Sequence, residues 1–295
     1  MSWNFERVAG PFKGRTGGLA WNGKTMLFSA VIEERVLSFD PVSGKTDVFR
    51  KWTGRTNGIA VAEDGSVYGA QEGCRRVVHF ELDGTTSPTA DLVDGQHHNQ
   101  PTDLIVDSKG RVWFADPHNP MTPYGPPIYK FLDVGSVLRL ERDERRAWKV
   151  KRVTFDTKEP RAVLLSPDEK TLYVAEGDQE RGVRCELRAY PLEPDGSVGR
   201  SKVLQSFGAN DRGIEGMCLD SDGNIVACGG SRQSGPGPLI YVFSPSGAVI
   251  ETQPAPDDAP MKCAFGDAGL GSFYVTTGGG HLYRAKGIGR RGFAR

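Results

Sequence analysis

The chain has 295 residues, 38% hydrophobic and 25% charged, and its 37 Lys and Arg balance its 37 Asp and Glu. A formal net charge of zero leaves no electrostatic footprint for nucleic acid and no polybasic patch for a membrane surface. No stretch approaches the ~18 apolar residues of a membrane helix, and the start, MSWNFERVAG, lacks the basic and apolar regions of a signal peptide. Five cysteines without CxxC spacing read as free thiols, so the expected location is a reducing cytoplasm.

Along the chain, NFERVAG at residues 4–10 is the first short strand. A phrase then recurs: an opening residue, an apolar run, a tight turn of Asp-Gly type and a second apolar or aromatic run. It reads GGLAWNGKTMLFSA from Gly17, TNGIAVAEDGSVYGA from Thr56 and PTDLIVDSKGRVWFADP from Pro101. It returns as PRAVLLSPDEKTLYVAE from Pro160, IEGMCLDSDGNIVACGG from Ile214 and MKCAFGDAGLGSFYVTT from Met261. Each copy is a hairpin signal. Further strand-like runs follow the first five copies: RVLSFDP, RRVVHFEL, GSVLRLER, CELRAYPL and PLIYVFSP.

A repeat of roughly 40–60 residues marks a propeller or solenoid. With three or four strands per copy and no long amphipathic helix, the expectation is an all-β, six-bladed β-propeller with four-stranded blades, one domain over residues 1–295. The last copy is short, so the N-terminal strand is expected to complete its blade and remove an exposed edge. Residues 117–133, PHNPMTPYGPPIYKFLD, are too rich in proline for a central strand and read as a loop over one face, a candidate lid. His79 and His281 read as strand residues.

The segments RTNGIAVAEDGSVYGAQEGCRRVVHF, QPTDLIVDSKGRVWFADP, SPDEKTLYVAE and IEGMCLDSDGNI, with the FADP and its Pro/Gly/Tyr-rich loop, resemble blades of the gluconolactonase/regucalcin (senescence marker protein, luciferin-regenerating-enzyme-like) superfamily. The resemblance implies a hydrolase of lactones or organophosphates with one axial divalent ion, commonly Ca²⁺ or Zn²⁺. The implied ligand positions fall here on Gly17, Thr102, Arg161 and Glu215, with Lys262 in the sixth copy. A hard divalent cation needs several oxygen ligands, and two of these positions are cationic. The expectation is therefore that no metal is held. The alternatives are a Ca²⁺ or Zn²⁺ ion through Glu215, or a relocated ion near His97, His98, Glu72 and Asp116.

The opening residues Gly17, Asn57, Thr102, Arg161, Glu215 and Lys262 should converge on one axis. Two readings stand for the charged three: an ion-pair plug, or a catalytic set. In the second, Glu215 activates water and Arg161 and Lys262 supply the positive charge that a metal gives elsewhere. A variant makes Lys262 a Schiff-base nucleophile. His98 is the expected proton shuttle, and Asn57, His97, Thr102, Asp103, Glu72 and His118 are the expected substrate contacts, while Asp116 caps loop backbone. The expected function is hydrolysis of a small anionic lactone or ester. The alternatives are a metal-free C–C or C–N bond-forming or lyase-type enzyme of the strictosidine-synthase-like kind, or a non-enzymatic metabolite-binding propeller.

Overall fold

A computed structural model describes residues 2–119, 123–178, 182–208 and 210–294. The chain opens with β1 (Phe5–Ala9) and then lays down β2 (Thr16–Trp21), β3 (Met26–Ala30), β4 (Arg35–Phe39) and β5 (Thr46–Lys51) as one antiparallel sheet. The second sheet is β6 (Thr56–Val61), β7 (Val67–Gln71), β8 (Arg76–Phe80) and β9 (Thr86–Pro88). A two-stranded ribbon, β10 (Leu92–Val93) and β11 (Gln96–His97), precedes the third sheet. That sheet is β12 (Asp103–Val106), β13 (Val112–Asp116), β14 (Ser136–Arg142) and β15 (Trp148–Arg152). The fourth is β16 (Pro160–Leu165), β17 (Thr171–Asp178), β18 (Val183–Pro191) and β19 (Lys202–Ser206). The fifth is β20 (Ile214–Leu219), β21 (Ile225–Ser231), β22 (Ser234–Phe243) and β23 (Val249–Pro254). In the sixth, β24 (Pro260–Gly266), β25 (Ser272–Thr277) and β26 (Leu282–Lys286) take β1 as their outermost strand.

These are the six four-stranded blades of a β-propeller. The inner strands β2, β6, β12, β16, β20 and β24 touch in cyclic order, so each blade presents its first strand to the axis. The apolar runs alternate with polar residues because a strand exposes successive side chains to opposite faces. Each blade therefore packs against both neighbours, and the buried apolar side chains fall into six clusters, one per interface. Phe114 of blade 3 joins Tyr68 and Val77 of blade 2, while Trp113 on its other face joins Val163 and Val174 of blade 4. At roughly 1.5–3 kcal/mol per fully buried large apolar side chain, these interfaces are the main source of cohesion.

The inner strands carry a common irregularity. Pairing of each inner strand with its neighbour slips by a residue near the strand start in five blades. The skipped residue is Gly18 in blade 1, Asn57 in blade 2, Arg161 in blade 4 and Glu215 in blade 5, and the pair Met261-Lys262 is skipped in blade 6. A bulge of this kind bends the strand and re-aims the extra side chain. His281 is not a strand residue: it lies in the turn between β25 and β26, with Nδ1 3.2 Å from Asp257, because Gly278–Gly280 end the preceding strand.

Closure rests on β1, paired antiparallel with β26 from Phe5↔Ala285 to Ala9↔Leu282. Trp3 and Phe5 add ring contacts to Phe273, at 5.1 and 6.5 Å between centroids. Deleting residues 1–9 should uncover the β26 edge and the Phe273 side of the core, lowering stability by about 3–5 kcal/mol and promoting self-association. Urea denaturation and light scattering measure both effects; an unchanged urea midpoint with a monomeric shortened chain would contradict closure by β1.

Candidate functional site

The bulges, together with the loops that lead into β2 and β20, bring a charged group to the end of the axis where the inner strands begin. The Glu215 carboxylate is its centre. Its Oε1 is 3.2 Å from Arg212 Nη2 and 3.7 Å from Arg161 Nη1. Arg161 also binds Asp178 at 2.5 Å and donates from Nε to the Gly177 carbonyl at 3.2 Å. Arg212 Nη2 lies 3.2 Å from the Met261 sulfur, while its Nη1 is buried and finds no hydrogen-bond acceptor among the described residues. The side chain of Glu215 is 10% exposed and those of Arg161 and Arg212 are 30% and 24% exposed, so the arginines face the opening.

A second group sits on blades 1 and 2. Arg15, just before β2, grips both Glu72 carboxylate oxygens at 2.5 and 2.6 Å. Asn57 donates to Glu72 Oε2 at 3.0 Å, and its own Oδ1 is buried without a donor among the described residues. Both contacts come from Nη2, which is shared between the two carboxylate oxygens in a charge-assisted pair. The two groups feel one another: Arg15 contributes to holding Glu215 ionised.

Lys262 lies deeper. Its ammonium is 3.0 Å from Asp103 Oδ1 and donates to the carbonyls of Glu215 at 2.8 Å and Arg161 at 3.4 Å. Asp103 Oδ2 accepts from the Val163 amide at 3.1 Å, and Thr102 Oγ1 donates to the Arg161 carbonyl at 3.4 Å. Asp103 and Lys262 thus lie between the charged end and a cavity of about 590 Å³ towards the other end of the axis, walled by residues such as Ile59, Leu104, Met217 and Phe265.

Titration follows from these contacts. Burial alone would raise the Glu215 carboxyl, but Arg212, Arg161, Lys262 and Arg15 outweigh it and hold it below the ordinary carboxylate value. Burial pushes the Asp103 carboxyl up despite the Lys262 ammonium. Burial also opposes the charge on Arg161, yet Glu215, Asp178 and Glu159 raise its pKa.

The histidines lie elsewhere. His98 is fully buried, with Nδ1 3.3 Å from Asp116 Oδ1 and its ring against Phe114 at 5.2 Å. Asp116 Oδ2 accepts the Asn99 amide at 2.7 Å, so it caps the segment before β12. His97 pairs with Asp91 at 3.0 Å and stacks on Tyr129 at 3.8 Å. His118 stacks on Phe131 at 6.2 Å. The His97 and His118 rings brace the proline-rich loop, of which residues 120–122 lie outside the described residues. From Tyr124 to Asp133 the loop is irregular and is tied down by Arg75, which donates to the carbonyls of Tyr129 and Lys130 and covers the Phe131 ring at 4.2 Å.

The axial residues do not fit a divalent cation. A Cβ on Gly17 would meet the Asn57 carbonyl oxygen at 2.8 Å and Oδ1 at 2.9 Å, so no acidic side chain fits there without movement. Arg161 brings a cation to a second implied ligand position, and the Glu215 carboxylate is already shared between two guanidinium groups. The relocated set does not converge: His98 and Asp116 lie 3.3 Å apart, but Glu72 serves Arg15 and His97 pairs with Asp91. Among the described residues, no three His, Cys, Asp or Glu side chains lie close enough to hold a metal. A Schiff base at Lys262 is also at odds with the geometry, since its three N–H groups have three acceptors.

Sequence reasoning missed Arg15, Arg212 and Asp178. None opens a repeat; the available signal was a basic residue one position before β2 and in the Asn-Asp-Arg-Gly loop before β20.

Because Glu215 has a depressed folded-state pKa, its ionic contribution is fully present above the unfolded value near ~4.3 and is lost as pH falls through the lower folded value. Glu215→Gln should thus cost on the order of 1–3 kcal/mol. That cost should stay constant between pH 7 and about pH 5, in urea titrations of both proteins. A difference that shrinks across this window would mean that Glu215 titrates there.

Residues 16–279 match the SMP-30/Gluconolactonase/LRE-like region. A gluconolactonase of Zymomonas mobilis is 28% identical over 277 residues, covering 85% of this chain and 73% of that protein. A 6-deoxy-6-sulfogluconolactonase of Pseudomonas putida is 28% identical over 184 residues, covering 62% of this chain and 55% of that protein. The solved structure of a gluconolactonase from Xanthomonas campestris superposes with a TM-score of 0.81 at 26% identity, covering 96% of this chain and 89% of that one.

Proposed function

From the premise that the chain belongs to the SMP-30/gluconolactonase/LRE-like family, we propose that it is a hydrolase of small lactones, and that its preferred substrates are anionic. Lactone hydrolysis is supported by the gluconolactonase relatives, which align along most of the chain. The observation that carries the anionic preference is Arg212: a guanidinium beside Glu215 that is 24% exposed, with no acceptor for its Nη1 among the described residues. The exposed part of that guanidinium can hold a substrate carboxylate or sulfonate in a charge-assisted hydrogen bond. The sulfogluconolactonase relative, named for an anionic lactone, is in keeping with this.

In this reading Glu215 is the base. Held ionised, it takes a proton from water as the water oxygen attacks the lactone carbonyl carbon. The carbonyl oxygen becomes an oxyanion, and Arg161 donates to it from a position already fixed by Asp178 and the Gly177 carbonyl. Collapse of the tetrahedral intermediate breaks the acyl–oxygen bond. The ring oxygen leaves as an alcohol with the proton that Glu215 took, giving a hydroxy acid. Arg212 binds the remote anionic group, with Arg15, Glu72 and Asn57 forming the facing wall. Lys262 is given no role at the reacting atoms, because its ammonium is fully engaged.

The test is a pH-stat screen of neutral and anionic sugar lactones. Glu215→Gln should lower kcat by about 10²–10⁴-fold with little change in KM. Arg212→Ala should raise KM for anionic lactones by about 10–100-fold more than for neutral ones, at 1.4 kcal/mol per decade, while any loss of kcat from a less firmly held Glu215 falls on both classes alike. Equal loss on both classes would remove the anionic preference, and a wild-type protein silent on every lactone would remove the hydrolase.

A further inference from the structure

Lys262 is one of three charged side chains that open a repeat, yet it is the one withdrawn from the pocket. It is 6% exposed. Its backbone is held in the bulge by Thr276, whose Oγ1 accepts from the Lys262 amide at 3.1 Å and donates to its carbonyl at 3.3 Å. The side chain crosses the axis to blade 3. There the ammonium meets one carboxylate oxygen of Asp103 and the carbonyl oxygens of Glu215 and Arg161.

Three oxygens carrying one formal negative charge surround one positive charge. This is the composition of a coordination shell for a monovalent cation, and the nitrogen fills it. The two carbonyls belong to the bulged residues whose side chains form the charged pocket. A cation at this point therefore fixes the backbone from which Glu215 and Arg161 project. Asp103 needs it as well, since burial makes its carboxylate costly to leave unpaired.

We propose that Lys262 is a tethered cation: a positioning residue whose ammonium occupies a monovalent-cation cage at the propeller axis and holds the Glu215 and Arg161 bulges in place. A divalent ion would bring one positive charge too many to a cage that already adjoins Arg161 and Arg212. Access exists for a small replacement, because Lys262 and Asp103 both line the cavity of about 590 Å³. The inference concerns the cage and not the substrate, so it stands or falls separately from the lactonase reading.

The experiment is rescue of Lys262→Ala by n-propylammonium chloride, which restores the missing atoms. Tetramethylammonium chloride at equal ionic strength, which cannot donate, is the control. The variant should lose about 10 °C in Tm, the scale expected for an orphaned buried carboxylate. n-Propylammonium should recover at least half of the loss in a saturable way, and tetramethylammonium should recover none. Lys262→Met fills the space without a charge and should be equally destabilised and not rescued. If Lys262→Ala is insoluble, refolding yield in the two salts gives the same readout. An equal response to both salts, no response to either, or a saturable rise in Tm of Lys262→Ala with Ca²⁺ larger than with n-propylammonium would overturn the proposal. Where lactone turnover is measurable, it should return together with Tm.

Discussion

Six strands meeting around one axis crowd each other, and the structure depends on how that crowding is relieved. Gly58 and Gly216 follow the bulged Asn57 and Glu215, and a Cβ at either would press on the next inner strand: 2.8 Å from Asp103 Cα in one case and from Lys262 Cα in the other. In five of the six blades the pairing slips near the strand start, and the slipped register relieves this close approach of backbones. The same slip re-aims side chains of blades 2, 4, 5 and 6 towards the axis. Packing of the ring and presentation of the charged side chains are thus one solution to one constraint.

Gathering charge at a buried end has a cost that pairing must offset. Arg15 faces Glu72, Arg161 and Arg212 face Glu215 and Asp178, and Lys262 faces Asp103. Each side of this ledger holds four charges among these residues, so the set is neutral as a whole while every member has an opposite neighbour. Such networks are weak evidence for stability, because desolvation cancels much of the attraction. What they provide is fixed orientation. Glu215 cannot turn away without giving up two guanidinium partners, and a pre-oriented charge needs little rearrangement during a reaction.

The repeat made the architecture readable, because alternation with turns of Asp-Gly type specifies hairpins without any knowledge of their partners. It also named Asn57, Arg161 and Glu215, whose bulges carry them to the axis. The rest depended on contacts between blades. Arg15 and Arg212 lie outside the repeated phrase, so comparison of copies passes over them. Asp178, near the far end of β17, meets Arg161 only through strand pairing within blade 4. Lys262 reads as a pocket residue by position, but the acceptor that captures it, Asp103, is some 160 residues away and belongs to the opposite side of the ring. His98 reads as a loop histidine; only packing against Phe114 and Asp116 makes it an interior one.

The pairing of β1 with β26 has a consequence for biosynthesis. Phe5 and Ala285 are neighbours in space but lie far apart in the order of translation. Blades 1 to 5 each draw their four strands from one continuous stretch and can form in order as the chain appears, whereas the sixth waits for β24 to β26. During that interval the N-terminal segment, with Trp3 and Phe5, is synthesised but has no partner. Its exposure lasts as long as elongation of the remaining chain, which at ~5–20 residues per second is on the order of tens of seconds. The ring therefore has a seam in time as well as in space, and this seam is where a chaperone or a wrongly matched strand edge would act first.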